Sequence, residues 1–162
     1  VGVRTLVLPP TERETVPLLN DQKVGLMVWS PLAGGLLADK GNAQGSRRST
    51  FDFPPMNMPR VEKVLEALRP IAKAHGVSVA RVALAWLLAQ KHVPSVIIGA
   101  KDPDQLKDNI AATELTLRAE ELETLNQVSA MPMEYPGWML ARQSQNRLGG
   151  QYQAPPPLPP RS

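Results

Sequence analysis

Trp29 and Ser30 close an apolar run over residues 24–29, and Gly34 and Gly35 follow at once in a loop of small residues. Such a pattern reads as a buried strand that delivers a flat aromatic ring and a hydroxyl to its C-terminal end. The glycines after it let backbone N–H groups approach something bulky or charged. A second junction of the same kind lies at residues 94–109, where the run PSVII leads into Gly99, Ala100 and Lys101 and then into a helix. Two strand-to-loop junctions of this type point to a phosphate-bearing cofactor.

The second junction adds charge. Lys101 precedes a helix begun by Asp102, and a helix N-terminus presents unpaired N–H groups and partial positive charge that an ammonium reinforces toward phosphate. Gln105, Asp108 and Asn109 follow within about two turns, with Gln105 sharing a helix face with the other two. Side chains of this kind can hydrogen-bond a purine amine and ring nitrogen; a well-capped surface helix would show the same residues. Arg47 and Arg48 could reach over bound phosphates, although solvated loop arginines are the commoner case.

Other chemistries find less support. His75 and His92 have no further His, Cys or acidic pair at ligand spacing, which speaks against a metal site. Asp39, Asp52 and the helical glutamates show no pairing typical of acid/base catalysis. Ser30 lacks a GxSxG setting, which disfavours a hydrolase. Tyr135 and Tyr152 stand in or beside a proline-rich tail with no visible proton-transfer partner. The Gly34–Gly35 pair does not follow the GxGxxG spacing of a Rossmann unit.

Composition sets the frame for these sites. The chain has 162 residues, 43% of them hydrophobic, a formal charge of +3 and a pI of about 9.5. That length suffices for one domain with a core. Its Lys and Arg are scattered among acids, so nucleic acid is not an expected partner. Cysteine is absent, which excludes disulfides and thiolate metal sites. The longest strongly apolar stretch, residues 82–89, is too short to span a bilayer, and no charged-then-apolar leader opens the chain. A soluble protein in the cytoplasm is the expectation. The first residue, Val1, fits a fragment or an alternative start codon.

The elements that must position the two junctions follow from periodicity. Residues 3–8 read as a short strand. Thr11 with Glu14 forms a capping-box pattern for a helix to about Gln22. Residues 24–29 are the second strand, and residues 38–59 a long surface loop. Val61, Val64, Leu65, Leu68 and Ile71 keep helical spacing to Gly76, with a kink expected at Pro70. Ser78 caps a buried helix over residues 79–90. Residues 94–98 form the third strand, apolar throughout as a parallel strand covered on both faces would be. Asp102, Pro103 and Gln105 start the next helix, and a last one over residues 119–128 buries Leu122, Leu125 and Val128. Periodicity stops near Met131. The tail, with Pro155–Pro157 and Pro159–Pro160, reads as polyproline-like or disordered. The alternation of strand and helix predicts an α/β fold with a parallel sheet and its loops on one rim.

Three stretches, VGLMVWSPLAGGLL, RRSTFDFPP and VPSVIIGAKDPDQLKDNIAA, closely resemble the C-terminal half of aldo-keto reductases. The branch is the one that includes bacterial reductases and potassium-channel beta subunits. The resemblance runs from about Glu12 to Met131. It implies an α/β architecture comprising the C-terminal portion of a (β/α)8 TIM barrel, about three βα units and thus an incomplete barrel, over residues 1–130. Residues 131–162 would be the tail. A complete barrel of this type needs about 250 residues.

The resemblance also implies NADP(H) as cofactor. Trp29 would stack on the nicotinamide, and Ser30, Leu32 and Gly35 would line the pyrophosphate path. Gly99, Ala100 and Lys101 would surround the ribose and its 2′-phosphate, with Gln105, Asp108 and Asn109 near the adenosine. The family's catalytic Asp, Tyr, Lys and His are carried on strands of the N-terminal half, to which nothing in this chain corresponds. Before Glu12 the agreement breaks, with Arg4-Thr5 where relatives tend to show Tyr-Ser, and the proline tail is foreign to the pattern.

The implied reaction is reduction of a carbonyl to an alcohol by hydride transfer from NADPH, with a small carbonyl compound as substrate of the intact enzyme and no membrane partner. The chain itself would hold the cofactor half without the catalytic residues, and its exposed sheet edges would favour self-association. A non-catalytic remnant or interaction module is the alternative, with the PPLPPR tail resembling a PxxPxR ligand.

Overall fold

Three short strands, β1 (Gly2–Val3), β2 (Met27–Trp29) and β3 (Ser95–Ile97), pair in parallel in the order β1-β2-β3. The coordinates are a computed structural model, which describes residues 2–3, 6–7, 15–39, 56–130 and 139. Gly2 and Val3 lie opposite Val28 and Trp29, and Met27, Val28 and Trp29 lie opposite Ser95, Val96 and Ile97. Five helices accompany the strands: α1 (Thr15–Gln22), α2 (Met58–His75), α3 (Val79–Leu88), α4 (Pro103–Ile110) and α5 (Ala119–Ser129). Two 3-10 stretches, Ala33–Ala38 and Ala111–Thr113, follow β2 and α4.

The strands are shorter than their apolar runs. Leu6 and Val7 are buried in a turn, so their hydrophobicity serves the core and not a ladder. Residues 24–26 precede β2, where the Leu26 N–H donates to the His92 carbonyl at 2.6 Å. Gly25 sits against Pro94: a Cβ there would lie 2.7 Å from the Pro94 ring, so only glycine lets the two strand entries come this close. The Thr11–Glu14 capping pattern lies outside the described residues, and α1 ends at Gln22 as its pattern predicts.

Helix boundaries follow their caps. The Asn57 side chain accepts from the Arg60 N–H at 3.0 Å, and Gly76, at φ 65°, closes α2 by donating to Ala72 and Lys73 carbonyls. The helix therefore takes in Met58 and Pro59, which the sequence reading assigned to the loop. It continues through Pro70 as one element. Pro70 is exposed, so the hydrogen bond it cannot make is lost on the solvent side, away from Val64, Leu68 and Ile71. Ser78 caps α3 through the Arg81 N–H at 3.0 Å. That helix ends at Leu88, earlier than its pattern, and the Gln90 side chain donates back to the Trp86 carbonyl at 3.1 Å.

One apolar layer holds these pieces together. Val28 from the sheet, Leu37, Val64 and Leu68, residues 82–83 and 85–87 of α3, and Leu122 and Leu125 belong to a single buried cluster. Val128 is only half-buried at its margin. The expectation of a sheet covered on both faces is not met. In β2 the burial alternates, with Val28 at 0% exposure between Met27 at 43% and Trp29 at 42%, and Ile97 of β3 is 46% exposed. Strand side chains alternate in direction, so Val28 turns to the helices while Met27 and Trp29 turn to the other face. Among the described residues nothing covers that face.

A charged knot ties α5 to α2. The buried Glu121 accepts from the Arg118 backbone N–H at 2.8 Å and from its guanidinium at 2.7 Å, and lies 2.9 and 3.0 Å from the His75 ring. Burial pushes the Glu121 carboxyl up, but Arg118 and His75 outweigh it and hold the carboxyl at about 2 against an ordinary 4.5. A depressed carboxyl stabilises the fold above its unfolded value and loses that contribution as pH falls through its folded one. Glu121→Gln is expected to cost about 1–3 kcal/mol at neutral pH, below the full shift because Arg118 is solvent-screened. The gap between wild type and variant in urea melts should close between pH 4.5 and 2. An equal gap at pH 7 and pH 2 would remove the carboxylate charge from the explanation.

Candidate functional site

Because Trp29 stands opposite Ile97 in a parallel pair, the loops after β2 and β3 leave the sheet from the same end. The structure thus brings the two junctions to one rim. Trp29, the last residue of β2, keeps 42% of its surface exposed on the uncovered face, so its ring is accessible for stacking.

The loop after β2 is tightly wound. Ser30 and Ala33 both take φ 53°, and Gly34 and Gly35 take φ 68° and 98°. Ala33 donates its N–H to the Ser30 carbonyl at 3.1 Å; Gly35 and Leu37 donate to the Leu32 carbonyl at 3.0 and 3.2 Å. The buried side chains of Ala33 and Leu37 pin the loop to the core, and the half-buried Leu32 packs against the same cluster. At Gly35 the left-handed backbone calls for glycine, and a Cβ there would meet no protein atom within 4 Å, which leaves the approach to the loop open. Left-handed non-glycine residues cost of order 1 kcal/mol each and concentrate at functional sites.

At its exit the loop is fastened to α2. The Arg69 guanidinium donates to both Asp39 oxygens at 2.8 and 2.9 Å and to Glu62 at 2.6 Å. The hydrogen bonds from Arg69 hold the Asp39 carboxyl below its usual range.

The junction after β3 is built by α4. Asp102 accepts from the Gln105 N–H at 2.8 Å, and Gln105 in return accepts from the Lys101 N–H at 2.7 Å. The buried Asn109 donates its side-chain N–H to the Gly99 carbonyl at 3.4 Å. Gly99, Ala100 and Lys101 are exposed, and a Cβ on Gly99 would meet nothing within 4 Å. Gln105 and Asn109 therefore shape the junction by gripping its backbone. Asp108 goes elsewhere: it accepts from Ser78 and from the Arg81 guanidinium on α3. Ser78 was legible only as a helix cap, and Arg81 carried no signal in the sequence.

An exposed indole, a hydroxyl and the positive end of an eight-residue helix flanked by a lysine fit a dinucleotide: a flat ring at one end, phosphates at the other. Among the described residues no three or more His, Cys, Asp or Glu side chains are placed to hold a metal ion. No single described helix is long and apolar enough to cross a membrane. Arg47, Arg48, Tyr135, Tyr152 and the proline-rich tail lie outside the described residues.

Residues 3–130 match the model of the Aldo/keto reductase family. An uncharacterized oxidoreductase of Bacillus subtilis (strain 168) is 36% identical over 122 residues, which cover 75% of this chain and 37% of that protein. The NADH-specific methylglyoxal reductase of Escherichia coli (strain K12) is 33% identical, covering 65% and 34%. A probable voltage-gated potassium channel subunit beta of Arabidopsis thaliana is 36% identical, covering 64% and 34%. A crystal structure of a thermostable aldo-keto reductase in complex with the inhibitor epalrestat superposes with a TM-score of 0.59 at 26% identity, over 78% of this chain and 38% of the other. The chain spans about a third of the length of these curated relatives.

Proposed function

The chain belongs to the aldo-keto reductase family, and from that premise we propose that it forms the cofactor-binding part of an NADP(H)-dependent oxidoreductase acting between carbonyls and alcohols. In this reading its three parallel strands are neighbouring strands near the C-terminal end of a (β/α)8 barrel. The uncovered face of Met27, Trp29 and Ile97 is the face turned to the barrel interior. Residues 1–130 make up the barrel portion and residues 131–162 a separate tail. The location is the cytoplasm.

One observation carries the reading: the exposed Trp29 ring and the Lys101-flanked end of α4 emerge from the same end of one sheet. Bound NADPH would supply the hydride. Trp29 would give its ring face to the nicotinamide and fix which side of it meets the substrate. Ser30, Leu32 and Gly35 would follow the pyrophosphate. Gly99, Ala100 and Lys101 would take the ribose and 2′-phosphate, while Gln105 and Asn109 would keep that junction in shape, with Asp108 behind it near the adenosine.

Preference for NADP(H) over NAD(H) is the testable core, since one relative is named for NADH specificity. A charge-assisted contact from Lys101 to a 2′-phosphate is worth about tenfold in affinity. Fluorescence titration should show tighter binding of NADP(H), a preference that shrinks in high salt and largely disappears in Lys101→Ala. Equal dissociation constants for the two cofactors, unchanged by the substitution, would rule the preference out.

The uncovered apolar face favours a second reading, an interaction module. Its mark would be self-association through Met27, Trp29 and Ile97 without cofactor binding, read by light scattering on the titrated sample.

A further inference from the structure

Three polar side chains join α3 to α4. Ser78 Oγ donates to Asp108 Oδ2 at 2.5 Å, and Arg81 lays its guanidinium on Asp108 Oδ1 through Nε at 3.0 Å and Nη2 at 2.6 Å. The Arg81 and Asp108 side chains are 27% and 30% exposed, so this pair is less screened than a free surface pair. Along α4, Asp108 stands next to Asn109, which grips the Gly99 carbonyl, and one turn after Gln105, which grips the Lys101 N–H. A carboxylate therefore stands behind the very junction that carries Lys101. Left bare, it would oppose any anion held there.

We infer that Arg81 is a positioning residue that sets the preference for a 2′-phosphorylated nicotinamide dinucleotide. It acts through Asp108: the guanidinium neutralises the carboxylate and, with Ser78, holds it toward α3. The inference rests on the proposed cofactor reading. NADP(H) carries about two more negative charges than NAD(H) at this position. Without the Arg81 charge, the partly exposed Asp108 carboxylate therefore penalises the phosphorylated cofactor by about three- to fivefold and leaves the other nearly untouched.

The test is a set of dissociation constants for NADP+ and NAD+, by calorimetry on the 162-residue chain and its variants. Arg81→Gln is expected to weaken NADP+ binding by about three- to fivefold and NAD+ binding by less than about twofold. Adding Asp108→Asn to that variant should bring the ratio of NADP+ to NAD+ affinity back to within about twofold of wild type, because the charge that opposed the phosphate is gone. Equal weakening of both cofactors, or no recovery in the double variant, would overturn the inference and leave Arg81 a helix-packing residue. Should Arg81→Gln fail to fold, Arg81→Lys and Asp108→Asn decide. Both leave no unneutralised carboxylate, so both should keep the preference, and its loss in either overturns the inference. A wild-type chain that binds neither cofactor overturns the cofactor reading itself, whereas a binding wild type with an unmoved Arg81→Gln ratio overturns only the role of Arg81.

Discussion

Mixed with NADPH and a panel of reactive aldehydes, the 162-residue chain is expected to give no turnover above the uncatalysed rate. Hydride delivered to a carbonyl carbon leaves a negative oxygen that must take a proton, and a positioned acid is worth about 10²–10⁴-fold in that step. Among the described residues the candidate rim holds no tyrosine or histidine. Its titratable side chains include Lys101, Asp102 and the acids of α4, and both histidines of the chain are committed elsewhere. His75 is held against Glu121. His92 is buried, and its carbonyl accepts from Leu26 just before β2, at the end of the sheet opposite Trp29. The only two tyrosines, Tyr135 and Tyr152, lie outside the described residues. The assay needs protein free of host reductases. Turnover that survives that purification and vanishes in Tyr135→Phe or Tyr152→Phe would show that the tail supplies the acid.

How much of this was legible in the residues differs from element to element. Caps were the clearest signals, because a single side chain meets a single N–H. Ser78, Asp102 with Gln105, and Gly76 all do what their positions predict. Strand lengths were overread, since Leu6, Val7 and Leu26 are apolar for burial alone, and burial does not require a ladder. The uncovered face was also hidden. An apolar run such as PSVII looks the same whether its second face is packed or bare, and that depends on what lies beside the sheet. At the candidate site the residue types were readable and their orientations were not. One step along α4 separates Asp108, turned to Arg81, from Asn109, turned to Gly99. Only the packing of α3 against α4 decides which is which. Arg81, an arginine one turn into a buried helix, had no pattern to mark it.

Trp86 is the large aromatic side chain of the helical layer behind the sheet, and Trp86→Ala is expected to cost about 3–5 kcal/mol. The ring is 3% exposed within the core cluster, and its Nε1–H donates to Asn126 Oδ1 on α5 at 2.9 Å. Truncation would open a cavity between α3 and its neighbours and strand the Asn126 oxygen. Against a total stability of about 5–15 kcal/mol for a domain, that is enough to unfold a large fraction of molecules. Two effects are mixed in the loss, and Trp86→Phe separates them. Phenylalanine keeps most of the packed volume and removes the donor, so it should cost only about 1–2 kcal/mol. Urea denaturation followed by far-ultraviolet circular dichroism would read both variants without depending on tryptophan emission. Should Trp86→Phe prove as damaging as Trp86→Ala, the hydrogen bond to Asn126, and not the packed ring, would be what joins α3 to α5. Because α3 packs against the loop after β2 and also presents Ser78 and Arg81 to α4, loss of this packing should loosen both junctions of the rim together.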